Sequence, residues 1–145
     1  MTGEEFVTLA AKLADGAAAE RRTSISRSYY GAFHAAMGLL ADAGVHLPAS
    51  PEAHRKVRFC LLECGELAAT EAGAKLESLR RQRNLADYDL EHLQCEARQN
   101  ALVQLRVAQE ILGSLETCRS ESAWQRVRTR IRAYATEVLR LTLVD

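Results

Sequence analysis

Two short stretches gather the residue types that handle phosphate and protons. The first is LRRQRNLADYDL, residues 79–90, with Arg80, Arg81 and Arg83 followed by Asn84, Asp87 and Tyr88, and with His92 a turn beyond. The second is SRSYYGAFHAA, residues 26–36, in which Arg27, Tyr30 and His34 stand at i, i+3 and i+7 and share one stripe of a helix. Arginine grips phosphate through a planar fork of donors. Histidine moves a proton near neutral pH. Cleaving an RNA backbone needs a base for the 2′-hydroxyl, an acid for the leaving oxygen and positive charge at the phosphorane. On a helix, Arg80, Asn84 and Asp87 lie near one face, and Arg83, Asp87 and Tyr88 on a neighbouring strip. Plainer readings stand beside these: His34 as a hydrogen-bonded core histidine, and Arg83 with Asp87 as a salt bridge at a solvated helix end.

The elements that must carry these residues are all helical. Alanine, leucine, arginine and glutamate dominate, no alternating Val/Ile/Thr pattern occurs, and the two prolines, Pro48 and Pro51, sit in one stretch. Helix one is expected at about 3–14, with Thr2 and Glu5 as a capping box, Gly16 past its end, and Phe6, Leu9, Ala10 and Leu13 as its apolar stripe. Helix two runs over about 18–43 and buries Ile25, Tyr29, Ala32, Phe33, Ala36 and Leu40. Gly31 inside it costs roughly 1 kcal/mol against alanine, which points to close approach of another helix. AGVHLPASP (43–51) is the clearest loop, and Ser50-Pro51 starts helix three, about 51–64. CGELAATEAG (64–73) reads as a second connection, and helix four runs from about 72 into the arginine stretch. Helix five is expected at about 90–116, with Leu90, Leu93, Ala97, Ala101, Leu105, Ala108, Leu112 and Leu115 inward. Ser120 caps a last helix, about 121–142, whose Trp124, Val127, Ile131, Tyr134, Val138 and Leu141 step 3, 4, 3, 4, 3 in a heptad seam. That seam either packs on its own bundle or joins two copies.

Length and composition bound the rest. The 145 residues suit one domain with a sizeable core, and 48% hydrophobic content argues against disorder. The formal net charge is zero, so a basic footprint over the whole protein is excluded and only local patches remain. Arginine far outnumbers lysine, which reflects either coding bias or phosphate-gripping forks. Cys60, Cys64, Cys95 and Cys118 form no CxxC pair; they read as free thiols of a reducing cytoplasm rather than zinc ligands, and no metal or other cofactor is expected. The N-terminus has no long apolar run, so a cytoplasmic protein with no membrane partner is expected.

Together the two stretches resemble the HEPN superfamily. The resemblance lies in RTSISRSYYGAFHAA on a long helix, a histidine soon after the next loop (His54), and LRRQRNLADYDL on a later helix; it covers roughly residues 4–116. It is that of the small bacterial stand-alone branch with an SRxYYxxFHA and RxxADY pair. It implies an all-α, antiparallel up-and-down bundle of four to five helices over 1–118, with the helix of 119–145 as an extra. It also implies a homodimer and a toxin–antitoxin or defence role. Many such proteins are metal-independent endoribonucleases whose motif is an arginine, a polar residue and, four to six positions on, a histidine. Arg83-Asn84 matches the start of that motif. Tyr88 stands where the shortest spacing places histidine, and His92 falls too far along. A phenol titrating near 10 is a poor base at neutral pH.

Three expectations follow. In the first, the protein is a dimeric ribonuclease with Arg83, Asn84, Asp87, Tyr88 and His34 at the reacting phosphate and Arg27, Tyr30 and Arg80 binding RNA or nucleotide. In the second, it is a non-catalytic module that binds RNA or nucleotide, or pairs with a nucleotidyltransferase partner. In the third, it is a structural, oligomerising bundle in which Arg27 or Arg83 pairs with Asp87 in a buried polar network.

Overall fold

A computed structural model describes residues 1–145 as an all-α bundle without a strand. The helices are α1 (Gly3–Leu13), α2 (Ala18–Asp42), α3 (Pro51–Leu62), α4 (Leu67–Tyr88), α5 (Arg98–Cys118) and α6 (Trp124–Glu137), with a 3₁₀ turn at Leu93–Glu96. No helix is long and apolar enough to cross a membrane. The central α2 touches α1, α3, α4 and α5, and α6 lies against α3.

Local chemistry explains most boundaries. Thr2 and Glu5 form the capping box of α1: the Glu5 amide donates to Thr2 Oγ1 at 3.4 Å, and the Thr2 amide donates to Glu5 Oε2 at 2.5 Å. Gly44 and Gly65 follow α2 and α3 at φ +85° and +76°, the left-handed turn that glycine adopts without a Cβ penalty. Pro51 opens α3 at its first turn. One continuous core of 27 buried residues runs from Val7 and Ala10 through Tyr29, Leu39 and Leu61 to Ile111, Val127 and Ile131. A smaller cluster of Ala14, Ile25, Ala86, Cys95 and Ala101 closes the opposite end.

Gly31 does the task its cost implied. A Cβ there would stand 2.6 Å from Val7 Cγ2 and 2.7 Å from the Gly3 oxygen, and a Cβ on Gly3 would stand 2.3 Å from the Gly31 oxygen. The two glycines let α1 and α2 touch backbone to backbone. That contact also turns α1: Gly3, Val7, Ala10 and Ala14 are buried, while Phe6 and Leu13 are half-buried and Leu9 is 40% exposed. The apolar stripe expected through Phe6, Leu9 and Leu13 is thus rotated by about one position.

Three further expectations need correction. Helix four begins at Leu67, not near 72, because only Gly65 breaks the chain; Gly73 lies inside α4, where a Cβ would meet Leu61 and Leu62 at 3.0–3.2 Å. Helix five begins at Arg98, not 90. Leu90 and Leu93 are 71% and 69% exposed instead of inward, and Ala97 is exposed; Ala101, Leu105, Ala108 and Leu115 are buried as expected. The last helix starts at Trp124 after a turn in which the Ser120 carbonyl, not its hydroxyl, accepts from the Ala123 and Trp124 amides. It ends at Glu137, so the seam stops short: Val138 is 58% exposed. Val127 and Ile131 of the seam belong to the main core, so the seam packs on its own bundle. The chain then returns to bond Val144 N to the Gly44 oxygen at 2.9 Å.

Candidate functional site

The two arginine-bearing stretches meet across the α2–α4 contact, and α3 adds a third wall. From α4, Arg83 is 6% exposed and lies over rings: its Cζ stands 5.3 Å from the Tyr29 centroid, 5.1 Å from Tyr30 and 5.9 Å from Tyr88. From α2, Arg27 lies 5.2 Å over Phe6 of α1 and 5.0 Å over Tyr30. From α3, His54 stacks on Phe33 at 4.2 Å and accepts from or donates to the Tyr29 hydroxyl through Nδ1 at 2.5 Å. His34 stacks between Phe6 and Tyr30, at 5.7 and 6.3 Å. The helical spacing explains the layout. Residues 26, 27, 30 and 34 run down one side of α2, and residues 80, 83 and 87 run down the facing side of α4.

The arginines are poorly partnered. Arg83 makes no hydrogen bond, and its nearest carboxylate oxygen is Asp87 Oδ2 at 3.8 Å from Nη1. That oxygen accepts instead from Ser26 Oγ at 3.1 Å. Arg27 Nη2 donates to Ser26 Oγ at 3.3 Å. The Nε atoms of Arg27, Arg80 and Arg83 are buried without a partner. An orphaned donor on a charged group costs free energy in a finished network. Arg81, by contrast, is exposed and pairs with Glu77 at 3.5 Å, and Arg58 of α3 also bonds Glu77.

This charge acts on the titrating rings. Burial first, then Arg80, Arg83 and His34, hold the His54 pKa below its ordinary 6.5. Partial desolvation between the rings of Phe6 and Tyr30, then Arg27, lowers that of His34, although one side of this ring is open to solvent. Burial pushes the Tyr29 phenol up to about 12 against the pull of Arg80 and Arg83. Tyr29 therefore keeps its proton at neutral pH, and its hydroxyl shares one hydrogen with Nδ1 of His54, in a direction set by the imidazole tautomer.

Of the residues expected at the site, Arg27, Tyr30, His34, Arg80, Arg83 and Asp87 converge. Tyr88 stands at the rim, 77% exposed. Asn84 is exposed and outside these contacts. Helix α4 ends at Tyr88, and His92 beyond it is held elsewhere, its carbonyl oxygen accepting from Arg22 at 3.2 Å. Sequence reasoning left His54 out of the site and assigned Tyr29 to the core alone. Periodicity reports which face of one helix a residue occupies, and nothing in it reports that the first turn of α3 abuts α2 and α4. Beside His34 opens a cleft of about 510 Å³, lined by Thr2, Phe6, Gly38 and Arg119 among others. No group of three or more His, Cys, Asp or Glu side chains converges to hold a metal ion. The four cysteines are buried free thiols, with burial raising the pKa of each.

The arrangement can clamp a phosphate between guanidinium forks, stack a flat ring on Tyr88 at the rim, and offer imidazoles that stay neutral at physiological pH. No family model, curated protein or solved structure matches the chain.

Proposed function

We propose that the Arg27–Arg80–Arg83 cluster binds a phosphate group of RNA or of a nucleotide, in a HEPN-type protein of the toxin–antitoxin or defence class. One observation carries this: the Arg27 and Arg83 guanidiniums meet over Tyr30, Arg83 also over Tyr29, with no carboxylate in hydrogen-bond reach, and the Nε of Arg80 on the same helix as Arg83 is likewise buried without a partner. Charge-assisted bonds from such forks to phosphate are the strong class, and anion binding would supply the partners the cluster lacks.

If bound RNA is cleaved, the chemistry needs no further group than the site holds. The 2′-oxygen attacks phosphorus as its proton passes to a base, and the 5′-oxygen leaves with a proton from an acid. The products are a 2′,3′-cyclic phosphate and a 5′-hydroxyl. His34 supplies the base, because a neutral imidazole with an open side has a free lone pair. Arg83 and Arg80 hold the charge that builds on the phosphorane. Tyr88 at the motif's histidine position offers a stacking surface instead.

A second reading keeps the cluster as a purely structural network, and the 6% exposure of Arg83 favours it. Against it stand the orphaned Nε atoms and the 3.8 Å gap to Asp87, since buried ion pairs that hold a fold are hydrogen-bonded. The deciding experiment incubates purified protein with single-stranded RNA in EDTA, wild type beside Arg83→Ala, and follows both binding and cleavage. Binding that the folded variant loses supports the anion site, and cleavage lost with it supports the ribonuclease. Binding by neither protein, or equal binding by both, would leave the structural network standing.

A further inference from the structure

We infer that His54 is the proton-exchanging group of this site, and that it gains its proton when an anion settles on Arg80 and Arg83. The inference rests on the anion-binding reading and adds to it a residue outside the arginine motif, supplied by a different helix.

The geometry around His54 is explicit on every side. Helix α2 presents the Tyr29 hydroxyl, 2.5 Å from Nδ1, together with Tyr30, Phe33 and His34. Helix α4 brings Arg83 to 5.3 Å over the ring of Tyr29, His54's hydrogen-bond partner, with Asp87 beside Arg83, and the charges of Arg83 and Arg80 both act on the imidazole. Its own helix presents Arg58, held by Glu77, on the Tyr29 side. No carboxylate bonds the imidazole itself, and its charged form is disfavoured by burial and by two arginines. A bound dianion reverses the second of these causes while leaving the first. The proton affinity of the imidazole then rises, and by linkage the anion binds more tightly where the proton is available.

Tyr29 makes the change mechanically simple. In the Nε2–H tautomer of the neutral ring its hydroxyl donates to Nδ1. When Nδ1 takes a proton, the same 2.5 Å contact persists with the donor reversed, Nδ1–H to the tyrosine oxygen. The tyrosine hydrogen is thereby freed for another acceptor. No side chain need move. Protonated His54 would then stand as the acid beside a phosphate held by Arg80 and Arg83, complementing a neutral His34.

The test uses sodium sulfate, which stays dianionic from pH 5 to 8, against sodium chloride of equal ionic strength. NMR of the histidine Cε1–H groups follows each ring's titration in the wild-type protein. Saturating sulfate is expected to move the His54 midpoint to higher pH and to reveal an Nε2–H tautomer for the neutral ring. Sulfate affinity is expected to rise on acidification, by at most about tenfold per pH unit for one linked proton. His54→Gln should bind sulfate with much of that rise removed. A His54 midpoint indifferent to sulfate, in a protein whose sulfate binding is lost in Arg83→Ala, would overturn this inference and leave the anion site intact. No sulfate binding at any pH would overturn both. The NMR arm needs no variant, so misfolding of His54→Gln cannot mask the outcome.

Discussion

Two arginines, one on α2 and one on α4, are equally hidden and differently used. Arg22 is 8% exposed and Arg83 is 6% exposed. The Arg22 guanidinium is saturated: it donates to the carbonyls of Leu85, Ala86, Asp89, Leu90 and His92 at 2.9–3.5 Å, and its Nε to Glu96 Oε1 at 3.0 Å. It takes up the orphan carbonyls where α4 ends, and holds the 89–96 segment against α2. The Arg83 guanidinium, one turn back along α4, meets aromatic faces and no hydrogen-bond acceptor. A buried charge with every donor matched reads as architecture. A buried charge with donors in reserve reads as a place for something else to bind.

The largest effect that would sharpen this contrast is on stability. Arg22→Ala leaves five carbonyls and Glu96 without their donor at the end of α4, and is expected to cost about 3 kcal/mol or more. For a domain of this size that is a fall in Tm of roughly 10 °C. Thermal unfolding followed by circular dichroism measures it. A loss below 1 kcal/mol would mean the carbonyls find water as easily as they found Arg22, and the contrast would fail.

The matching change at the other arginine should act on binding. Arg83→Met keeps a long apolar stem against Tyr29 and Tyr30 and removes the charge. Its stability is expected within about 1 kcal/mol of wild type, because only ring contacts are lost and a desolvated charge is relieved. Affinity for RNA or sulfate should fall about tenfold to a hundredfold, the worth of one charge-assisted contact. A variant as destabilised as Arg22→Ala, with binding unchanged, would place Arg83 in the same structural class as Arg22.

A subtler pair uses lysine. An ammonium is a point charge with three donors and cannot span five carbonyls, so Arg22→Lys should recover less than half of the stability lost in Arg22→Ala. Arg83→Lys should retain more anion affinity than Arg83→Met, since a phosphate accepts a point charge. Parallel denaturation and sulfate titrations of the four variants separate a geometric requirement from a merely electrostatic one.

The difference between the two arginines also marks where sequence stops being informative. The buried face of α2, the Thr2 capping box, the glycine turns and the close approach at Gly31 are local or periodic, and each could be read from spacing. Arg27, Tyr30 and His34 were legible as one stripe for the same reason, and Arg80 with Asp87 and Arg83 with Asp87 as parts of two neighbouring strips on α4, of which Asn84 falls outside the cluster. Arg22 was not, because all but one of its partners are backbone carbonyls 63 to 70 positions away, which carry no residue signature. Missing it misplaced the start of α5: Leu90 and Leu93 continue a helical period, but the carbonyls of Leu90 and His92 are taken by a guanidinium, and the chain makes only the 3₁₀ turn of Leu93–Glu96 before Arg98. His54 was obscured in the same way, being a neighbour across helices rather than along one.

The smallest effect separates the two regions by pH. His54 and His34 both titrate below 6.5 in the folded protein, whereas in the unfolded chain each binds its proton near 6.5. Between the two values the unfolded state holds more protons, so stability is full above about pH 6.5 and falls as pH drops below it. The fall stops once pH passes below the folded values. His54→Gln should remove part of this acid loss, seen as a smaller difference between Tm at pH 7.5 and 5.5 than in wild type. Sulfate should shrink the wild-type difference too, because an anion on Arg80 and Arg83 lets the folded protein take up the proton. The Arg22 region has no such handle: its partners are carbonyls and Glu96, and His92 lends only its backbone oxygen. Arg22→Ala should therefore lower Tm by a similar amount at both pH values. If instead the pH dependence tracked Arg22 and ignored His54, the responsive end of this bundle would be the α4 terminus and not the arginine–histidine cluster.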